Sequence, residues 1–146
     1  MPTRITNFIH DSQQAPGSAP VLGTSFDAAD VHTHDLTGDL PAFKGAGLYH
    51  GIVDAIFVKL TSASNPTKVT IRLCLDANGD EVVVPDTEAD LVAGITTAAT
   101  KCAVFSVGIP IVQLFDATKR NLFLFAKVDD ATGNPEFAQS VITWRE

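Results

Sequence analysis

The stretch "KVTIRLCL", residues 68–75, alternates without a break: Val69, Ile71, Leu73 and Leu75 on one side, Lys68, Thr70, Arg72 and Cys74 on the other. A period of two sends successive side chains to opposite faces, so the segment predicts a β-strand with one buried face. It runs into "LDANGDEVVV", where Asn78-Gly79 predicts a two-residue type I′ hairpin turn, both central positions of which need positive φ. Pairing outward from that turn sets Leu75 opposite Val82 and Leu73 opposite Val84, with the apolar residues of both strands on one face. Pro85 is expected to end the second strand, because it cannot donate to the ladder.

Other short apolar runs are "IVDAIFVKL" at 52–60, "CAVFSVGIPIVQLF" at 102–115, "RNLFLFAKV" at 120–128 and "FAQSVITW" at 137–144. Gly108 and Pro110 predict a bulge or a break between two strands. In the 120–128 run, Leu122, Leu124, Ala126 and Val128 share one face while Phe123 and Phe125 take the other, as in an interior strand covered on both sides. "DTEADLVAG" predicts the one short helix: Thr87 as cap, Asp90 three residues on and Gly94 as terminator. Turn signals at "SASNPT", "ANGD", "DATKR" and "DDATGNP" separate about seven strands in all. The expected fold is all-β, an antiparallel β-sandwich, jelly roll or related Greek key with one short helix.

Residues 1–46 have a different texture. Pro2, Pro16, Gly17, Pro20, Gly23 and Pro41 interrupt any period, yet apolar residues recur singly: Ile5, Phe8, Ile9, Val21, Leu22 and Phe26 among them. A disordered tail is normally poorer in such residues. The pattern predicts an extended N-terminal arm over 1–46 whose anchors dock on another surface, joined to a β-sandwich domain over 47–146.

Composition narrows the function. With 146 residues and 45% hydrophobic content the chain can bury the core of one domain. Ten Lys and Arg against 17 Asp and Glu give a net charge of -7, and the basic residues are scattered, which argues against nucleic-acid binding. No segment approaches a membrane span, and no basic start leads into an apolar run, so a soluble chain made in a reducing cytosol is expected. Cys74 and Cys102 lack CxxC spacing and read as core or near-core thiols, their pairing left open.

Candidate chemistry centres on "DVHTHD", residues 30–35. If that segment is extended, His32 and His34 share a face and could hold a metal together with Asp30, Asp35, His10 or His50. The alternative is a pair of histidines that hydrogen-bond in a polar loop or at a subunit contact. The HxH resembles the start of a cupin metal site, although cupins continue with a nearby Glu and a later His, and no histidine follows His50. It also resembles the HxH of trimeric phage spike and fibre tips. Asp76, Asn78, Asp80 and Glu81 superficially resemble a calcium loop, but Gly79 falls at the fourth position and Thr87 at the twelfth, so a solvated acidic turn is expected. There is no GxSxG elbow, P-loop or GxGxxG. No enzymatic activity and no cofactor are expected.

The Met1–Ala46 arm, opening "MPTRITNFIHDSQQAPGSAPVLG", and the Ala/Val/Thr/Gly-rich β-domain ending "AQSVITWRE" give the whole chain a layout that resembles virion structural proteins of tailed bacteriophages, most of all capsid decoration (cement) proteins. The resemblance implies a jelly-roll or β-sandwich domain that forms trimers or dimers on a shell. It implies the major capsid protein or other virion subunits as partners, assembly in the host cytoplasm, and a place in the virion. Ile5, Phe8, Ile9, Val21, Leu22 and Phe26 are then the intersubunit anchors. A tail, neck or fibre subunit, with His32 and His34 on a threefold axis, is the alternative within virions. From another class come a carbohydrate-binding β-sandwich using Trp144, Tyr49 and the acidic hairpin with calcium, and a small cupin-like metal protein.

Overall fold

Period-two alternation builds two antiparallel sheets in the computed structural model, which describes residues 7–13, 19–35, 47–94, 97–115 and 121–145. The strands are β1 (Asn7–Gln13), β2 (Val31–Asp35), β3 (Gly47–Thr61), β4 (Lys68–Cys74), β5 (Val82–Asp90), β6 (Val92–Ala93), β7 (Lys101–Phe115), β8 (Asn121–Val128) and β9 (Glu136–Arg145). One sheet has the order β1-β9-β3-β7-β6 and the other β2-β8-β4-β5. Setting aside the two-residue β6, eight strands divide four and four, and the chain passes repeatedly from one sheet to the other. This is a jelly roll, the expected fold class.

The core lies between the sheets. From one side come Val53, Ile56, Val58 and Leu60 of β3, Ala103 and Phe105 of β7, and Phe137 and Ile142 of β9. From the other come Val69, Ile71 and Leu73 of β4, Val84 of β5, and Leu122, Leu124, Ala126 and Val128 of β8. As expected, β8 is interior, paired with β2 on one side and β4 on the other. Its outward Phe125 is also buried, because Phe26 meets it edge-on at 6.5 Å and the 76–80 loop lies over it. Gly79 is required there by its backbone, since its φ is +83°, whereas an added Cβ would meet the Phe125 ring at an ordinary contact distance of 3.4 Å.

At Gly108 the expected bulge is present and no break occurs. Val53 pairs with Ile109 and Ala55 with Ser106, so β7 fits one residue more than β3, and Gly108 takes up the extra residue at φ +61°.

Four expectations are corrected. "DTEADLVAG" is not a helix: its first residues continue β5, with Thr87 paired to Ile71 and Ala89 to Val69. Alternation outweighs the cap signals there, since Asp86, Glu88 and Asp90 face solvent and the Thr87 hydroxyl donates to the Pro85 carbonyl at 2.8 Å. Nor does Pro85 end the strand. It sits where β5, an edge strand, places extra residues opposite Arg72, a position that needs no ladder donor. The 76–81 turn is wider than type I′: Cys74, not Leu75, pairs with Val82, and Asn78 is not among the residues with positive φ. The Asp76 carboxylate accepts the amides of Asn78, Asp80 and Glu81, which draws the backbone into a larger loop. Leu73 still faces Val84 as expected.

The fourth correction concerns residues 1–46, whose described parts are strands and straps of the same body. β1 pairs with β9 from Asn7↔Arg145 to Gln13↔Gln139, and β2 pairs with β8. Between them, the Leu22 amide donates to Pro135 O at 2.8 Å, the Phe137 amide to Pro20 O at 2.8 Å, and the Val128 amide to Gly23 O at 3.0 Å. Leu22 is thereby driven into the core, 1% exposed. The boundary expected at residue 46 does not separate two bodies among the described residues. Ile5 and the turn expected at 116–120 lie outside them.

Because Leu22 is enclosed, Leu22→Ala should cost about 2–4 kcal/mol in urea unfolding. A midpoint equal to the parent's would remove residues 19–22 from the core.

Candidate functional site

A β-bulge prepares the interior surface on which the two histidines meet. Lys59 pairs with Gln139 but Leu60 with Phe137, so β9 skips Ala138 in its ladder with β3. Phe137 and Ser140, three residues apart, therefore both face inward. Across the interior, β2 alternates: Thr33 faces solvent, while His32 and His34, paired with Leu124 and Leu122, are fully buried.

The hydrogen bonds there have a fixed direction. His32 Nε2 lies 2.8 Å from the Phe137 carbonyl oxygen, which can only accept, so Nε2 carries the proton and donates. In the neutral ring Nδ1 is then the acceptor, and it receives the Ser140 hydroxyl at 2.7 Å. Ser140 Oγ in turn accepts from His34 Nε2–H at 2.8 Å. The His32 ring also stacks on Phe137, with centroids 3.6 Å apart and planes 6° from parallel. A metal at HxH would have to displace bonds that His32 makes through both ring nitrogens. Among the described residues, no three His, Cys, Asp or Glu side chains converge as a metal site.

The other candidates disperse. Phe26 covers Phe125, with the Arg72 guanidinium 4.5 Å and the Lys127 amine 4.9 Å from its ring centroid. Leu22 is a core residue, whereas Val21 is 45% exposed and bridges to Glu136. Phe8 and Ile9 lie in β1, opposite Trp144 and Thr143. Tyr49 and Trp144 are on β3 and β9. At the acidic hairpin, bonds from the Glu81, Asp80 and Asn78 amides hold the Asp76 carboxyl below its ordinary range, so its oxygens are already occupied by the loop. Cys74 and Cys102 are both free. Burial pushes the Cys74 thiol up to about 11, against the pull of Arg72, while Cys102 is exposed.

Sequence reasoning missed the most accessible feature, an apolar field on the outer face of the β1-β9-β3-β7-β6 sheet. Phe57 pairs with Val104 on one side and Val141 on the other, and Val92 pairs with Cys102 one row away. Phe57 is 40% exposed, Val104 57% and Val92 68%, three of the five large exposed apolar residues among those described. Phe57, Val104 and Val141 line a shallow hollow of about 290 Å³ bordered by Lys59 and Gln139, and Val92 lies beside it across its pairing with Cys102. The signal was present in "AIFVKL", where Phe57 stands between the inward Ile56 and Val58, so both faces of the strand are apolar.

No family model matches the chain, and no curated protein is similar to it. Among solved structures, the coat protein of Tobacco streak virus aligns with the whole chain and with 89% of its own length, at 7% sequence identity and a TM-score of 0.37. That likeness is too slight to carry a shared fold, so the assignment of a jelly roll rests on the strand order itself.

Two measurements check this geometry. Ser140→Ala removes the partner of two buried ring nitrogens and should cost about 1–3 kcal/mol. A thiol reagent at pH 7.5 should modify Cys102 alone in the folded chain and both cysteines in denaturant, and rapid labelling of both without denaturant would contradict the burial of Cys74.

Proposed function

We propose that this chain is a non-enzymatic structural subunit of a virion, of the capsid decoration (cement) kind. The observation that carries the reading is the apolar outer face formed by Phe57, Val92, Val104 and Val141. Contiguous exposed apolar surface on a folded domain marks a contact with another macromolecule. Among the described residues, Lys59 is the only charged one bordering the hollow, although acids outnumber bases across the chain, so a neighbour can approach without facing the net charge of -7.

Strand order adds support, since jelly rolls serve as capsid domains as well as lectins and cupins. Fold alone names no function, and the side chains favour the first of these uses. A cupin or an axial metal in a fibre needs its HxH free, whereas His32 here is engaged at both nitrogens. The expected partners are further copies of the chain, as a trimer or dimer, and beyond them the major capsid protein of a shell. The chemistry of the role is additional buried contact area, with no bond made or broken.

Native mass spectrometry of the purified chain should show a dimer or trimer. The double variant Phe57→Ser, Val104→Ser should keep its urea midpoint within about 0.5 kcal/mol, as surface changes usually do, and lose the oligomer or cosedimentation with purified shells at least tenfold. A parent chain that stays monomeric and does not cosediment with any shell would sink the proposal.

A further inference from the structure

One edge of the β1-β9-β3-β7-β6 sheet is left open over most of its length. β7 has 15 residues and pairs with β3 along nearly all of them, but on its other side β6 covers only Lys101 and Cys102. Among the described residues, no strand pairs with that side beyond Cys102.

The direction of the backbone groups there follows from one bond. The Gly94 amide donates to Thr100 O at 2.7 Å, next to the pairs Ala93↔Lys101 and Val92↔Cys102. Hydrogen-bonded and non-hydrogen-bonded pairs alternate along an antiparallel ladder, so Cys102 also turns its N–H and C=O to β6. Val104 and Ser106 turn theirs the same way, into the open edge, while Ala103 and Phe105 turn to β3. Past them the edge closes: the bulge at Gly108 bends the strand, and Pro110 has no N–H to offer.

We infer that a second copy of the chain pairs with this edge, β7 against β7 antiparallel about a twofold axis at Phe105, so that two sandwiches share one continuous sheet.

Three features single out a second copy. The first is phase. About Phe105, Val104 lies opposite Ser106 of the other copy, and Ser106 opposite its Val104. All of these residues turn their backbone groups to the junction, so the donors and acceptors of each pair match and no group is left over. The pleat agrees as well, since Val104 and Ser106 are exposed on the outer face while Ala103 and Phe105 are buried beneath it.

The second is length. This register sets Cys102 opposite Gly108 of the other copy. β6 already occupies Cys102, so the incoming strand has to leave the ladder there, and Gly108 is where it bends.

The third is charge. No charged residue occurs between Cys102 and Phe115. The other edge strands carry acids: Asp11 in β1, Asp35 in β2, and Asp86, Glu88 and Asp90 in β5. For two copies of net charge -7, β7 is the edge that brings no like charges face to face.

Such an axis stands perpendicular to the shared sheet, so both apolar fields fall on the same side. Phe57, Val92, Val104 and Val141 of the two copies then present one enlarged surface to a neighbour. The pairing itself does not depend on what that surface meets.

Native mass spectrometry and hydrogen exchange of the intact chain test the inference together. The parent should be a dimer whose Val104 and Ser106 amides are protected, and dilution to the monomer should let them exchange as open amides. The Ala103 and Phe105 amides, directed at β3, should stay protected in both states. Ser106→Pro removes a donor that faces the edge, where proline is tolerated, and its ring fills the junction. It should raise the dimer dissociation constant roughly tenfold or more. Should that variant not fold, Val104→Lys, at an exposed side chain, sets like charges on either side of the axis, with the same expected result. A parent that is a monomer or a trimer overturns the inference. So does a dimer unchanged by the folded variant, or one whose Val104 and Ser106 amides exchange like the monomer's. Shell binding is read separately: a dimer of this kind that cosediments with no shell removes the decoration role and leaves the pairing, whereas a monomer that cosediments does the opposite.

Discussion

Two imidazoles can lie inside an apolar sandwich only if their polar atoms find partners, and at this edge of the molecule that requirement sets the relation between the sheets. Over most of the interior, layer spacing follows from the volumes of Val, Leu, Ile and Phe, which tolerate small slips. Where β2 faces β9 it follows from hydrogen bonds of 2.7 and 2.8 Å to one serine hydroxyl. A one-residue slip of β2 along β8 would send both rings to solvent and bring Val31 and Thr33 inward, leaving Ser140 and the Phe137 carbonyl without them. Five residues make a weak strand on ladder bonds alone, so the polar contacts supply register that pairing would leave loose. Leucines in their place could give equal stability with less specificity.

Much of the fold was legible because alternation is a local signal. Strands β4 and β8, the bulge at Gly108 and the all-β class follow from residue order within windows of eight to fifteen. What was not legible depends on contacts distant in sequence. Thr87 and Asp90 carry good cap chemistry, and only pairing with Ile71 and Lys68 makes their segment a strand. Pro85 is a stop signal except on an edge, and edge status is set by the sheet order. In sequence, the single apolar residues of the first 46 positions read as anchors for another surface. Leu22 and Phe26 find it on the chain's own β8–β9 region, where no local pattern points.

The histidine site divides in the same way. That His32 and His34 share a face is written in their spacing. That the face points inward, to a serine more than a hundred residues away, depends on the bulge at Ala138, for which the sequence offers no turn residue or glycine. The loop acids illustrate a related limit. Asp129 takes bonds from the Thr67 and Lys68 amides and from the Thr67 hydroxyl, fastening the 62–67 loop to the turn after β8. Carboxylates that look like surface charge or metal ligands in sequence are here backbone acceptors that shape the loops.

The strand order also constrains when the protein can come into being. Each sheet is completed by joining an early strand to a late one: β1 waits for β9, and β2 waits for β8. During synthesis the first two strands must remain unpaired while about a hundred residues follow, and a topology so rich in distant pairings is expected to fold slowly. Until β8 and β9 emerge, β4 lacks its inner neighbour and β3 lacks one of its two. The nascent chain therefore exposes apolar strand edges throughout its elongation, a stage at which unpaired edges are prone to join one another across chains.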